Sequence, residues 1–445
     1  MTDSSGRWSF IPRKGPGPVE IERSEGAFLY TKDGRRILDA AGGAIVSNIG
    51  HGRREVAEAM AAASAREGYV VPTFATESRL RLVDRLRSSW LPEPLHYIYL
   101  GSGGSDSMDA AIRLARQCAV AKGEPRRFKV IGRELSYHGA TLTTLAAGRQ
   151  HKRRGALGPL LHDWPTAPAC YCLRCPFERT YPGCGVECVE DIDRVIREAG
   201  PDTVLAVLAE PIGGSTGAAL TPPDEYWPRL REICSEHGIL LIADEVMTGF
   251  GRTGRRFGVD HWDVVPDILV AGKGLGGGYA PISGLYTHEE VVAPIAEAGE
   301  DLMFYTFGAL PGSCAAADKV LEILEREALV ARAETMGQAL RARLAKLEEH
   351  PHVAEIRGRG LMLGIEFVRD RERLEPFSSQ DNFTNRVVAA GFSEGVFFYP
   401  SGIEPARDAV MLGPPFIIGD AEVELLASVL ENAIDSAVRY TLGGA

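Results

Sequence analysis

The chain has 445 residues, of which 45% are hydrophobic and 24% charged, so it is long enough for two or three soluble globular domains. Its formal net charge of -11 argues against nucleic acid or an anionic membrane surface as a partner. No stretch approaches the roughly 20 apolar residues of a membrane span, and the first ten residues lack the basic-then-apolar pattern of a signal peptide. We therefore expect a cytoplasmic protein.

The middle of the chain alternates short apolar runs with helical patterns. The apolar runs are predicted as strands over residues 97–100, 128–131, 204–208, 239–243, 268–271 and 282–286. A helical pattern opens at Asp106, and another covers residues 226–237 and ends before Gly238. Strands that alternate with helices predict an α/β fold, with a large mostly parallel β-sheet covered by helices on both faces.

The pattern changes near residue 310. Residues 315–350 are predicted to be largely helical, residues 353–367 to hold a strand pair, and residues 420–442 to form a closing helix. The first sixty residues show short strands and turns. We therefore predict a large domain over residues 61–310 and a smaller α+β domain over residues 311–445, which the N-terminal segment of residues 1–60 joins.

Two of the predicted strands end near a charged residue. Asp244 follows a fully apolar run, at the edge where open α/β sheets bind ligands. Its carboxylate could keep a ring nitrogen protonated, as a pyridoxal cofactor requires, or it could cap the next helix. Lys273 follows another apolar run and lies between two glycines, where a desolvated amine can form an imine with an aldehyde. Most lysines are solvated surface groups, however, and the glycine spacing of a Walker loop is absent.

Two further segments are candidates for cofactor binding. Residues 101–106, Gly-Ser-Gly-Gly-Ser-Asp, lie between a strand and a helix, so their amides could bind a phosphate. A flexible turn explains this loop equally well, and the glycine order of a dinucleotide fingerprint is missing. Tyr137, in Ser-Tyr-His-Gly, follows a strand and could stack on a cofactor ring or simply belong to the core.

Together these segments resemble the class III aminotransferases, the omega-aminotransferase group of the fold-type I pyridoxal-phosphate enzymes. The resemblance covers about residues 25–435 and is strongest over residues 209–284. That stretch contains Asp-Glu-Val-Met-Thr-Gly-Phe-Gly-Arg-Thr-Gly, which begins at Asp244, and also contains Lys273. The loop departs from the family's usual Asn-Ser-Gly-Ser/Thr-Glu, because Ser-Gly-Gly-Ser-Asp over residues 102–106 has one hydroxyl fewer near the expected phosphate.

The resemblance implies a role for each matching residue. Lys273 would carry the cofactor as a Schiff base and move protons, Asp244 would pair with the pyridine nitrogen, and Glu210 would be a buried acid beside them. The further cofactor-binding residues would be Gly103, Gly104 and Ser105 at the phosphate, Tyr137 and Val246 on the two ring faces, His138 next to Tyr137, and Thr306 at the phosphate of the neighbouring subunit. The enzyme would then be a homodimer whose active site is shared across the interface.

The implied reaction is transamination by a ping-pong mechanism. An amine or an omega-amino acid would give its amino group to a keto acid such as pyruvate or 2-oxoglutarate. Met247 stands where many members carry a Gln, and an apolar residue there is more similar to the amine and omega-amino-acid transaminases than to acetylornithine-type enzymes. Related members decarboxylate, racemise or shift amino groups within one molecule, and a pyridoxal-phosphate-binding protein without turnover is a further alternative.

Contacts with the substrate can be assigned only as candidates. Arg407 could act as a mobile clamp for a substrate carboxylate, or it could be a solvated loop arginine. Trp8, Phe10 and residues near Val46 are further candidates for positions around the substrate.

Five of the eight cysteines lie in a Pro- and Gly-bearing segment, which is predicted to be an insertion over about residues 165–190. Cys172 and Cys175 form a Cys-x-x-Cys pair, and Cys184 and Cys188 form a Cys-x-x-x-Cys pair. Four thiolates with this spacing can ligate zinc or an iron–sulfur cluster, and reduced thiols without a ligand are the alternative. We predict one metal centre at these four residues, with Cys170 as a substitute ligand.

Overall fold

The computed structural model describes residues 18–443, with the backbone alone at His151 and Lys152. The strands are β1 (Ile21–Glu25), β2 (Phe28–Thr31), β3 (Arg36–Asp39), β4 (Tyr97–Gly101), β5 (Lys129–Arg133), β6 (Thr166–Ala167), β7 (Val204–Ala209), β8 (Leu240–Asp244), β9 (Ile268–Ala271), β10 (Ser283–Thr287), β11 (Val353–Arg359), β12 (Met362–Phe367), β13 (Val396–Phe397), β14 (Tyr399–Ser401) and β15 (Ala409–Leu412). The helices are α1 (Gly42–Ile45), α2 (Arg54–Glu67), α3 (Glu77–Arg85), α4 (Gly104–Ala121), α5 (Leu142–Ala147), α6 (His151–Arg154), α7 (Glu187–Ala199), α8 (Tyr226–Glu236), α9 (Glu289–Glu297), α10 (Pro311–Arg326), α11 (Leu329–Leu344), α12 (Phe383–Ser393) and α13 (Asp420–Leu442).

A seven-stranded sheet forms the centre of the molecule, in the order β4-β10-β9-β8-β7-β5-β6. The strands from β9 to β6 pair in parallel with their neighbours, whereas β10 runs antiparallel to both β4 and β9. Every residue of β7 and β9 is buried, as expected for strands that are covered on both faces. The predicted α/β fold with a mostly parallel sheet is confirmed.

Two smaller sheets of four strands each complete the fold. One is antiparallel throughout, in the order β11-β12-β15-β14. The other has the order β1-β2-β3-β13, in which β13 pairs in parallel with β3, so an early strand and a late strand of the chain share one sheet. The domain boundaries at residues 60 and 310 stay a prediction. Among residues 18–443, no helix has both the length and the apolar character needed to cross a membrane.

The carboxyl ends of three adjacent strands bring together the charged residues that the sequence singled out. Glu210 directly follows β7, Asp244 is the last residue of β8, and Lys273 comes two residues after β9. Because β7, β8 and β9 are parallel neighbours, these ends meet at one edge of the sheet. That edge is where open α/β sheets bind ligands.

Arg252 connects this edge to the segment before α2 and to the segment before α13. Its buried guanidinium donates hydrogen bonds to the carbonyl oxygens of Ser47 and Pro414, each over 2.7 Å. The guanidinium also lies over the ring of Phe416, with 4.6 Å between Cζ and the ring centroid. Burial lowers the pKa of Arg252 to about 9. These contacts hold the N-terminal and C-terminal segments against the edge that carries the site.

Candidate active site

A cavity of about 210 Å³ opens at the carboxyl edge of β7, β8 and β9. We call it the central cleft. Its wall is formed by Gly104, Ser105, Tyr137, His138, Gly139, Glu210, Ile212, Ser215, Asp244, Val246, Met247 and Lys273. The cleft thus collects most of the residues that the sequence singled out for catalysis or cofactor binding.

Lys273 enters the central cleft from a segment with unusual backbone geometry. Its φ angle is +41°, in the left-handed region that residues other than glycine rarely adopt. The next residue, Gly274, accepts a hydrogen bond on its carbonyl oxygen from Nδ2 of Asn48 over 2.8 Å. Burial lowers the pKa of Lys273 to about 8, against the opposing effect of the nearby carboxyl groups. A substantial fraction of the amine is therefore neutral near pH 8, and the neutral amine is the form that attacks a carbonyl carbon.

Asp244 and His138 form a buried hydrogen-bonded pair in the wall of the cleft. Nδ1 of His138 lies 2.7 Å from Oδ2 of Asp244, and Oδ1 accepts a bond from the amide of Val246 over 3.1 Å. His138 is only 3% exposed and Asp244 only 5%. Both carboxylate oxygens are thereby fixed in position. A carboxylate held in this way stabilises positive charge on a ligand placed against it.

Glu210 is the second acid of the cleft, and its carboxyl group organises the loops around it. Oε1 accepts a hydrogen bond from the amide of Gly214 over 3.0 Å, and Oε2 accepts one from the amide of Tyr137 over 3.4 Å. Burial raises the pKa of Glu210 above its ordinary range. The side chain therefore links the end of β7 to the segment that carries Tyr137.

The N-terminus of α4 forms another part of the wall of the cleft. The carboxylate of Asp106 accepts a hydrogen bond from the amide of Gly103 over 2.7 Å, which folds the preceding loop over the first turn. The amides of Gly104 and Ser105 lie in that first turn, where a helix provides no acceptor for them. A side chain at position 104 would collide with Val246, because an added Cβ would lie 2.8 Å from its Cγ1. This bare helix start fits an anion such as phosphate.

These features together fit pyridoxal phosphate. The amine of Lys273 suits the aldehyde, the carboxylate of Asp244 suits the ring nitrogen, and the helix start suits the phosphate. Nε2 of His138 is buried and has no hydrogen-bond partner among the described residues, so this nitrogen is available to form a hydrogen bond with a bound ligand. The aromatic ring of Tyr137 lines the same space and is suited to cover a flat ring.

Three of the predicted cofactor and substrate residues do not line the central cleft. Gly103 directly precedes α4 and lies outside the wall. Thr306 lies on an exposed segment that joins α9 to α10. Arg407 lines a separate polar cavity, where its Nη1 donates to Oε1 of Glu404 over 2.7 Å. The candidates Trp8 and Phe10 lie outside the described residues. The cleft therefore contains the predicted cofactor residues other than Gly103 and Thr306, and Arg407 is not among the residues that line it.

Sequence reasoning missed three residues at or beside the cleft. Ile212 and Ser215 line it from the loop after β7, and their position just past a strand end was the available signal. Arg153 lies on the short helix α6 and belongs to none of the sequence motifs described above. Its guanidinium lies over the ring of Tyr137, with 4.6 Å between Cζ and the ring centroid, and Nη1 donates to the Tyr137 hydroxyl over 3.1 Å. This contact extends the site beyond the predicted set.

The predicted metal centre is not supported and must be corrected. Within residues 18–443, no group of three or more His, Cys, Asp or Glu side chains is arranged to hold a metal ion. None of the eight cysteines forms a disulfide, and Cys172, Cys175, Cys184 and Cys188 are not gathered into such a group. The physical reason lies in Cys170, which is buried and hydrogen-bonds to one cysteine from each predicted pair. The hydrogen bond from Cys170 lowers the pKa of the Cys172 thiol to about 7.

The sequence and the fold of this chain are both similar to those of known aminotransferases. The family model described as "Aminotransferase class-III" matches residues 10–434. The uncharacterized aminotransferase YodT of Bacillus subtilis is 34% identical over 421 residues, which cover 93% of this chain and 94% of that protein. The putrescine–pyruvate aminotransferase of Pseudomonas aeruginosa is 30% identical over 435 residues, 95% of this chain and 91% of its own length. A crystal structure of an (S)-enantioselective omega-transaminase from Thermomicrobium roseum superposes with a TM-score of 0.90 at 33% identity, covering 98% of this chain and 97% of the other.

Proposed function

The chain belongs to the class III aminotransferases and is a pyridoxal-phosphate-dependent transaminase, and from this we propose that it takes amino groups from amines or omega-amino acids. The acceptor is a keto acid such as pyruvate or 2-oxoglutarate, and the two half-reactions follow each other in a ping-pong mechanism. The putrescine–pyruvate relative supports this pairing of donor and acceptor.

The wall of the central cleft is the observation that carries the choice of donor. Ile212, Val246 and Met247 give it an apolar side, and of the described residues that line it Lys273 is the only lysine or arginine. The same wall contains the carboxyl groups of Glu210 and Asp244. A primary amine without a carboxylate on the reacting carbon therefore fits this apolar side and brings no further negative charge near the two carboxyl groups.

Lys273, Asp244 and Tyr137 have different roles in the proposed reaction. When bound, pyridoxal phosphate supplies a carbonyl carbon that exchanges amino groups and a ring that accepts an electron pair. Nζ of Lys273 would hold the cofactor covalently and, as the free amine, would carry the proton that leaves the donor carbon to the carbonyl carbon of the cofactor. Asp244, fixed by His138, maintains a negative charge at the ring nitrogen. Tyr137 covers one face of the site and excludes water from it.

A donor and acceptor panel tests the proposed function. We expect a diamine or an omega-amino acid to change the visible absorbance of the holoenzyme, and addition of pyruvate to restore it with formation of one alanine per carbonyl product. Without an acceptor, at most one equivalent of donor should react. Release of carbon dioxide, racemisation or rearrangement of the donor would instead identify a decarboxylase, racemase or aminomutase. A spectrum that no donor changes would indicate a binding protein without turnover.

The active unit that we propose is a homodimer in which Thr306 reaches the phosphate of the neighbouring subunit. Thr306 lies between the exposed apolar side chains of Met303 and Phe307, which are 70% and 64% exposed. Phe307 meets the exposed ring of Tyr69 edge to face, with 6.2 Å between the ring centroids. Clustered apolar side chains on a protein surface are typical of an interface, so this segment supports a second copy as its partner.

Mixing two damaged chains should restore activity if the site is shared. Lys273→Ala removes the amine from its own site, whereas Thr306→Ala weakens the phosphate site of the partner. In a mixed dimer one site carries both changes and the other carries neither, so an equal mixture should regain about a quarter of the wild-type sites. Each variant incubated with itself is the control. No gain in activity, under conditions where differently tagged chains are shown to exchange, would exclude the shared site.

A further inference from the structure

A polar cavity of about 310 Å³ adjoins the central cleft. Its wall consists mainly of serine, threonine, asparagine and glutamine side chains, together with Arg153 and Arg407. Ser215 lines both spaces, so they meet at that residue. Oε1 of Gln150, which also belongs to this wall, is buried without a hydrogen-bond partner among the described residues. The cavity is therefore suited to a polar group that extends out of the central cleft.

The charges of the two arginines are not equally available. Arg407 donates to Oε1 of Glu404 over 2.7 Å and lies 3.3 Å from Oδ2 of Asp408, and it also donates to the carbonyl oxygen of Phe377. Two carboxylates thus compensate its single positive charge. A further anion at Arg407 would have to displace one of them.

Arg153, in contrast, has no carboxylate partner in the part of the chain that the structure describes. Its contacts are with Tyr137, through the hydroxyl at 3.1 Å and the face of the ring. Because Tyr137 lines the central cleft, these contacts place the guanidinium where the cleft meets the polar cavity. A guanidinium can donate further hydrogen bonds while it keeps the one to a tyrosine hydroxyl, since it carries five N–H groups.

We propose that Arg153 binds a carboxylate group of the keto acid acceptor and so determines the preference for keto acids over aldehydes. The proposal rests on the proposed function, because it assigns a residue to the acceptor half-reaction of the same site. Planar guanidinium and carboxylate groups form paired, charge-assisted hydrogen bonds. A simple amine donor has no such group, so the half-reaction with an amine does not depend on Arg153.

Replacement of Arg153 with Gln should separate pyruvate from acetaldehyde, which differ only in the carboxylate. With one amine donor, we expect kcat/KM for pyruvate to fall about 10- to 100-fold, mainly through KM, as for the loss of a hydrogen bond to a charged group. The value for acetaldehyde should stay within about 2-fold, and Arg153→Lys should recover part of the loss for pyruvate. Arg154→Gln is the matched control, because Arg154 lies on the same helix but donates to the carbonyl oxygens of Ala146 (3.2 Å) and Gly148 (3.0 Å).

Two further measurements identify the carboxylate and separate this proposal from the proposed function. Succinic semialdehyde retains only the distal carboxylate of 2-oxoglutarate, so its kcat/KM should change as little as that for acetaldehyde if Arg153 binds the carboxylate beside the carbonyl. A loss with succinic semialdehyde and none with pyruvate would contradict that assignment. Calorimetric titration of the holoenzyme with succinate, against neutral succinamide, tests anion binding without turnover. Equal losses for pyruvate and acetaldehyde, or a selective loss in Arg407→Gln instead, would overturn the proposal. A wild-type enzyme inactive with every donor would refute only the proposed function.

Discussion

Lys273→Ala should lower the rate of transamination by at least about 10³-fold, the range by which a positioned proton-transfer group accelerates a reaction. The loss should be this large because one amine both holds the cofactor and moves the proton. Burial lowers the pKa of Lys273 to about 8, so the neutral amine becomes abundant as the pH rises through about 8. Covalent uptake of pyridoxal phosphate by the apoprotein should accordingly accelerate over that interval, and not over the interval of an ordinary lysine near pH 10.

Borohydride reduction followed by peptide mapping measures the covalent attachment directly. The wild type should carry the reduced cofactor on Lys273, and the alanine variant should release it on denaturation. Lys346→Ala is a suitable control, since Lys346 is a surface residue that pairs with Glu431 and lies outside the cleft. Recovery of the cofactor on any other lysine of the wild type would mean that the assignment of Lys273 is wrong.

Asp244→Asn should retain the cofactor and lose on the order of 100-fold or more in rate. An amide has nearly the shape of the carboxylate and can still contact His138, but it cannot balance a positive charge on the ring nitrogen. Binding should therefore change much less than the chemical step. The half-reaction with an amine donor, followed in a stopped-flow spectrometer under single-turnover conditions, isolates that step from product release.

Asp193→Asn provides the comparison for this carboxylate. Asp193 also contacts a histidine, with 2.6 Å between its Oδ1 and Nε2 of His237, but it lies on α7 away from the central cleft. Its amide variant should react at the wild-type rate. A single-turnover rate near that of the wild type in Asp244→Asn would remove Asp244 from the chemical step and leave it a structural role.

The sequence predicted the centre of the site because local patterns and topology agree there. Apolar runs that precede Asp244 and Lys273 predict buried parallel strands, and parallel strands place their carboxyl ends at one edge. The reversed direction of β10 does not follow from such a pattern. Residues 272–282 connect β9 to β10, and this connection is shorter than the crossover that two parallel neighbouring strands require. β10 therefore runs antiparallel to β9. Strands of two or three residues, such as β6 and β13, carry too little periodicity to be predicted.

Contacts between segments distant in sequence, or without a motif, could not be predicted. Arg153 reaches Tyr137 from a helix of four residues, and no spacing rule connects the two. In the cysteine-rich segment, spacing alone suggested two ligand pairs. Instead, the buried Cys170 hydrogen-bonds to one cysteine of each pair. These contacts depend on how the segment packs against the sheet, which the spacing of the cysteines does not encode.

The left-handed backbone at Lys273 has a consequence for engineering this enzyme. A residue other than glycine in that conformation costs about 1–3 kcal/mol, which the surrounding fold must offset. Lys273→Gly would relieve that cost and, at the same time, remove the amine that turnover requires. Heat resistance and activity therefore oppose each other at this position. A search for thermostable variants should leave the strand ends of β7, β8 and β9 untouched and draw its substitutions from surface positions that no reacting group contacts.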